Sequence, residues 1–207
     1  MKSLKRLIAM CVLLFANYAH ASETTFITLG PAMMFTTDSV SAPSPISYSL
    51  GIGRTVSVSS DFSLQAHAAF FTGYYLYDDE RAKPAEVENR TALALSSLVS
   101  LNALWTFGKT ENQWLQIGAG PAIFARYGLQ ANGVSGAADE VSDINRYFWS
   151  DLHFLYPDIC FSYTRVVSQL ALGAECRIYL PVASFADGMG FEDGIIALSI
   201  SLGKHKP

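Results

Sequence analysis

The chain has 207 residues, of which 50% are apolar and only 15% charged, with a formal net charge of −4. So low a charged fraction is unusual for an exported soluble domain, and no basic surplus marks a nucleic-acid surface. Beyond residue 21 no apolar run reaches the ~20 residues that a membrane-spanning helix needs.

The N-terminus reads as an export signal. Lys2, Lys5 and Arg6 precede the apolar run Leu7–Phe15, and Ala19 and Ala21 occupy the small-residue positions before a cleavage point. Residues 1–21 are therefore expected to be a cleavable signal peptide, and residues 22–207 one domain. Two cysteines follow the signal, Cys160 and Cys176. A disulfide and two separate thiols are both compatible with an oxidising compartment.

Period-two alternation predicts eight strands, over 24–36, 46–57, 62–77, 91–107, 113–128, 147–165, 168–182 and 194–203. In the seventh, Leu170, Leu172, Ala174, Cys176, Ile178 and Leu180 share one face, and Ala171, Gly173, Glu175 and Arg177 lie on the other. In the second, Tyr48, Leu50 and Ile52 oppose Ser49, Gly51 and Gly53. The sixth alternates poorly, and Pro157 predicts a break or bulge within it. One face is aliphatic and the other small or polar. A narrow barrel fills its interior with side chains, so the aliphatic face is expected to look outward, to lipid.

The connections alternate in length. Long ones are expected at 36–45, 78–90, 130–145 and 183–193, and short ones at 58–61, 108–112 and 165–168. Long loops on one side and short turns on the other are characteristic of outer-membrane barrels. The long loops hold twelve acids, against the bases Arg81, Lys83, Arg90 and Arg146 in or beside them. Aromatic residues cluster at 70–77 and 147–149 on the long-loop side, and at Phe62, Trp105, Phe107, Trp114, Phe161 and Tyr163 on the other. That grouping predicts two interfacial girdles.

These features together resemble the small eight-stranded outer-membrane barrels of the OmpA, OmpX and OmpW types. The resemblance is architectural and covers the whole chain after the signal. It implies an all-β, eight-stranded antiparallel up-and-down transmembrane barrel in the outer membrane of a diderm bacterium, with extracellular loops and periplasmic turns. It also implies a monomer whose partners are outer-membrane lipids, with host ligands or small hydrophobic solutes at the loops. The chain departs from the pattern at its end, where "GKHKP" follows Leu202 without a terminal aromatic residue.

No catalytic constellation stands out, and neither a cofactor nor a metal is expected. Some barrels of this architecture resemble lipid A deacylases, which carry His-x-Ser on one strand face. Here His67, His153 and His205 are all followed by other residues. Asp151 and His153 would share a face on the sixth strand, with Ser150 beside them, as the one arrangement worth testing as a triad. Arg126, Glu175 and Arg177 lie on inward faces and are expected to form a lumenal polar network. The leading expectation is therefore a non-enzymatic barrel that presents acidic loops. OmpW-like passage of small hydrophobic solutes and lipid A modification follow it. Gly30-Pro31 and Gly120-Pro121 interrupt the first and fifth strands, and a bulge or kink is expected at each.

Overall fold

The structure, a computed structural model, describes residues 22–36, 46–85, 90–130 and 137–206. The expected signal peptide and parts of three long loops lie outside the described residues. In chain order the elements are β1 (Glu23–Met34), β2 (Ile46–Ser57), β3 (Phe62–Asp78), β4 (Arg81–Ala85), β5 (Ala92–Lys109), β6 (Gln113–Gly120) and β7 (Ala122–Gln130). Then come α1 (Ala137–Trp149), β8 (Asp158–Val167), β9 (Leu170–Tyr179), α2 (Val182–Ala186) and β10 (Ile195–Lys206).

All pairings are antiparallel. β6 and β7 are one path interrupted at Pro121, since both pair with β5. β4 folds back on the far end of β3 through Asp79 and Glu80, whose φ angles of 49° and 60° suit a tight hairpin turn. The remaining strands run β1-β2-β3-β5-β6/β7-β8-β9-β10, and β10 returns to pair with β1. That is a closed ring of eight. Seven of the eight expected strands agree with it to within three residues at either end.

Alternation decides which side faces what. Ile200 is 68% exposed and Arg177 only 2%. Ile27, Leu29, Leu50, Ile52, Val99, Ile117, Leu172 and Leu198 join Ile200 on the outer surface. Ser49, Gln65, Ser100, Asn102, Gln116, Ser162 and Glu175 point inward. Apolar residues outside and polar residues inside make a barrel built to span hydrocarbon, where the closed ladder satisfies the backbone.

The sixth expected strand is corrected. Residues 147–149 belong to α1, turns follow through Phe154, and β8 begins only at Asp158. The sequence around α1 has a helical period: Ile144, Tyr147 and Phe148 are buried together, with Val141 packed against them. Asp139 and Glu140 in the first turn and Arg146 in the last complement the helix dipole. The aromatic grouping is corrected with it. Phe70 and Trp149 face outward, but Phe71, Tyr75, Tyr147 and Phe148 turn into the barrel and form its apolar core.

The expected bulges at Gly-Pro are absent. β1 pairs with β10 at Leu29↔Ile200 and again at Ala32↔Ala197, three residues on along each strand, so the ladder is interrupted without a shift in register. The β5 ladder likewise keeps one register from Ala103↔Ala119 to Ser100↔Ala122. Leu101 N donates to Pro121 O at 3.1 Å, but proline returns no bond. The carbonyl left over leans on the preceding glycine instead. A Cβ on Gly120 would lie 2.0 Å from Leu101 O, and one on Gly30 would lie 1.9 Å from Leu198 O. Glycine is therefore needed there for close approach. The register shift in β5 comes elsewhere, between Thr106 and Gly108.

Candidate functional site

The lumen is closed at two levels. At mid-height Arg177, on the inward face of β9, reaches across the barrel. Its Nη1 donates to Asp158 Oδ2 at 2.5 Å and to Ser100 Oγ at 3.4 Å, and its Nε to Glu175 Oε2 at 3.0 Å. Nη2 also donates to Gln65 Oε1. Asn102 Nδ2 completes the layer with a 2.6 Å bond to Asp158 Oδ2. One arginine thus ties β3, β5, β8 and β9 together, donating charge-assisted bonds to both carboxylates. Beside it His67 Nε2 meets Thr28 Oγ1 at 3.1 Å.

Toward the long loops a second, aromatic layer surrounds Arg126 of β7. The guanidinium carbon lies 4.3 Å from the Phe124 ring centre and 4.2 Å from that of Phe148 on α1. Its Nη2 donates to the His153 carbonyl at 2.6 Å. Tyr75 packs edge-on to Phe148 at 4.9 Å, and Tyr156 to Phe124 at 5.0 Å. Such faces attract a cation electrostatically. Helix α1 is fastened to the wall beside this layer. Asn145 bonds both backbone groups of Gly128, at 2.8 Å and 3.1 Å, as a neighbouring strand would.

The expected network of Arg126, Glu175 and Arg177 is therefore divided. Glu175 and Arg177 meet in one layer, and Arg126 belongs to the separate upper layer. Asp158, Gln65, Ser100 and Asn102 are members that the sequence reading missed. Asp158 could have been found by parity, because it shares a face with Cys160 and Ser162 on β8.

Below the ionic layer a polar well of about 290 Å³ opens at the short-turn end. Phe26, Ser63, Trp114, Gln116 and Ser201 line it, and Gln65 and Glu175 lie at its depth. Trp114, expected in the outer girdle, turns inward to this well. At the opposite rim Lys83 Nζ donates to Asp78 at 2.6 Å and Asp79 at 3.1 Å, and Arg81 pairs with Asp193 at 3.4 Å. Burial raises the Asp193 pKa to about 6, with Glu192 adding to the rise and Arg126 and Arg81 opposing it.

The triad arrangement is corrected by the same turn that replaces the strand. Ser150 Oγ donates to the Tyr147 carbonyl at 3.1 Å, and His153 Nδ1 to the Ser150 carbonyl at 2.9 Å. Asp151 is exposed, with φ at 42°. The side chains of Ser150, Asp151 and His153 make no hydrogen bond to one another. The cysteines are both free. Cys160 pairs with Arg177 on the inner face and Cys176 with Phe161 on the outer one, so the barrel wall separates them. Among the described residues no group of three metal-ligating side chains is present.

No family model and no curated protein sequence matches the chain. Solved structures do match it in fold. One is Neisserial surface protein A, with a TM-score of 0.54 and 9% identity over 89% of this chain and 96% of that one. Another is the outer membrane protein OprG of Pseudomonas aeruginosa, with a TM-score of 0.52 and 10% identity over 90% and 97%. Together with the closed ring and the apolar outer face, these matches give the chain the fold of the small eight-stranded outer-membrane β-barrel proteins.

Proposed function

We propose that this is a closed barrel of a bacterial outer membrane, non-enzymatic, whose long-loop end faces out of the cell and presents an acidic surface to the environment or a host. The observation that carries the reading is the double closure of the lumen. The Arg177 layer fills the middle, and Phe124, Arg126 and Phe148 fill the level above it. A barrel so filled serves as a rigid stand for what lies on top. Among the described residues, the β3–β4 hairpin and α1 hold Asp78, Asp79, Glu80, Asp139 and Glu140 at the long-loop end. The short turns at the other end match the periplasmic side of such barrels.

A second reading, sideways passage of small hydrophobic solutes, has one observation in its favour. On the long-loop side of Pro121, β7 is joined to the segment before β8 by a single bridge, Ile123↔Leu155, and by bonds to Phe154 and Tyr156. One experiment addresses both readings. Purified protein is placed in liposomes, and an epitope is inserted within 131–136 for labelling of intact cells. We expect no ion conductance and full labelling of intact cells. Steady conductance, or labelling only after permeabilisation, would overturn the display reading. Leakage of apolar solutes from ion-tight vesicles would favour passage.

A further inference from the structure

Arg126 is a buried cation held by aromatic faces and a carbonyl, with no carboxylate in contact. It is 3% exposed. Arg177 contacts two carboxylates, Arg81 contacts Asp193 and Lys83 contacts Asp78 and Asp79, but Arg126 makes no ion pair among the described residues. Asp193 acts on it only through space, its own carboxylate bonding Arg81. The Nε of Arg126 is buried and has no hydrogen-bond partner. A buried charge without a contacting counter-ion is costly, and so is a buried donor left unpaired.

The two rings nearest Arg126 have different origins. Phe124 is part of the wall, paired with Leu98 in the β5–β7 ladder. Phe148 comes from α1, which lies between β7 and β8 in the chain and enters the barrel from the long-loop end. It fills the half of the box that the wall does not supply. A flat ring bearing a carboxylate, set in its place, would keep the stack on the guanidinium and add the anion that Arg126 lacks. The neighbours suit an apolar body: Phe71, Tyr75, Tyr156 and Ile195 belong to the same buried cluster. We propose that the chamber beneath α1 is a binding site for small carboxylates with an aromatic or flat apolar body, and that Phe148 occupies it when they are absent. Occupancy would displace α1 and so alter the surface that the long loops present.

The test uses the whole protein in lipid nanodiscs, phenylacetate as the probe and 2-phenylethanol as its uncharged counterpart. Hydrogen–deuterium exchange across α1 reports displacement. Phenylacetate is expected to speed exchange there saturably, by about tenfold or more, and 2-phenylethanol at equal concentration is not, because the site's charged donor rejects the analogue without an anion. Arg126→Gln should abolish the response. Phe148→Ala, which removes the internal competitor, should lower the half-saturating phenylacetate concentration by roughly tenfold. Equal responses to the two compounds, or no response to phenylacetate in either wild type or Phe148→Ala, would overturn the proposal. If Arg126→Gln fails to fold, the comparison of wild type with Phe148→Ala still decides.

Discussion

Asp193→Asn should strengthen the long-loop end of the barrel at neutral pH, even though it removes the partner of Arg81. Asp193 is 4% exposed, and Arg81 Nη2 stands 3.4 Å from its Oδ2. Burial strips water from the carboxylate and Glu192 repels it, and these outweigh the attraction of Arg126 and Arg81, leaving a pKa of about 6 in place of 3.8. An acid shifted upward binds its proton more tightly in the folded state than in the unfolded one. Its contribution is therefore fully present below about pH 4 and is lost as pH rises through about 6. A shift of that size corresponds to about 3 kcal/mol, and it already contains the pull of both arginines. Asparagine keeps the shape and carries no charge. The variant should therefore lose the pH dependence between 4 and 6 and gain up to about 3 kcal/mol at pH 7.5. Urea unfolding in lipid vesicles at pH 4.5, 6 and 7.5, with hydrogen exchange over residues 191–195, measures both effects. Wild-type stability that climbs from pH 4 to 7, or a variant weaker than wild type at pH 7.5, would refute the reasoning.

Further outcomes are expected from the same unfolding assay. Arg177→Met strands Asp158 and Glu175 without their cation and should cost about 3–5 kcal/mol, while adding Asp158→Asn and Glu175→Gln should recover most of it. A single-variant loss under about 1 kcal/mol would mean that water in the well screens the layer. Gly120→Ala forces Leu101 O away from a Cβ placed 2.0 Å from it and should cost about 2–3 kcal/mol. Pro121→Ala returns a donor to that same carbonyl and should stay within about 1 kcal/mol of wild type or improve on it. The opposite order of the two variants would contradict the account of Gly-Pro given above.

Strands were legible because each residue in a membrane barrel faces either lipid or lumen, and the chain alternates to match. Face can be read from parity, but height needs a count from the short turns. Arg126 and Arg177 both point inward, yet Arg126 lies much farther along its path from the 108–112 turn than Arg177 does from the 165–168 turn, which sets them at different levels. The helix was missed for a different reason. Tyr147, Phe148 and Trp149 look like a girdle when taken as three adjacent aromatics, and only the spacing from Ile144 shows that two of them share a buried stripe. The bulges expected at Pro31 and Pro121 failed because the missing bond is absorbed by a glycine carrying no side chain, so the ladder keeps step.

The Arg177 layer has a consequence for how the barrel closes. Its members come from both halves of the chain, Gln65 and Ser100 from one and Asp158, Glu175 and Arg177 from the other. The bonds of Arg177 to Asp158 and Glu175 lie within the β8–β9 hairpin, but those to Gln65 and Ser100 form only once β3 and β5 stand across the lumen. A one-residue slip of β9 would turn Glu175 and Arg177 out into hydrocarbon, where a basic residue near the bilayer midplane costs about 2–4 kcal/mol. Most of the wall has no such sense of position, since Leu, Ile and Ala tolerate either neighbour. The charges at the centre therefore act as a proofreading mark, and of the many near-equivalent ways to zip eight apolar strands together they favour the one in which every strand is in step.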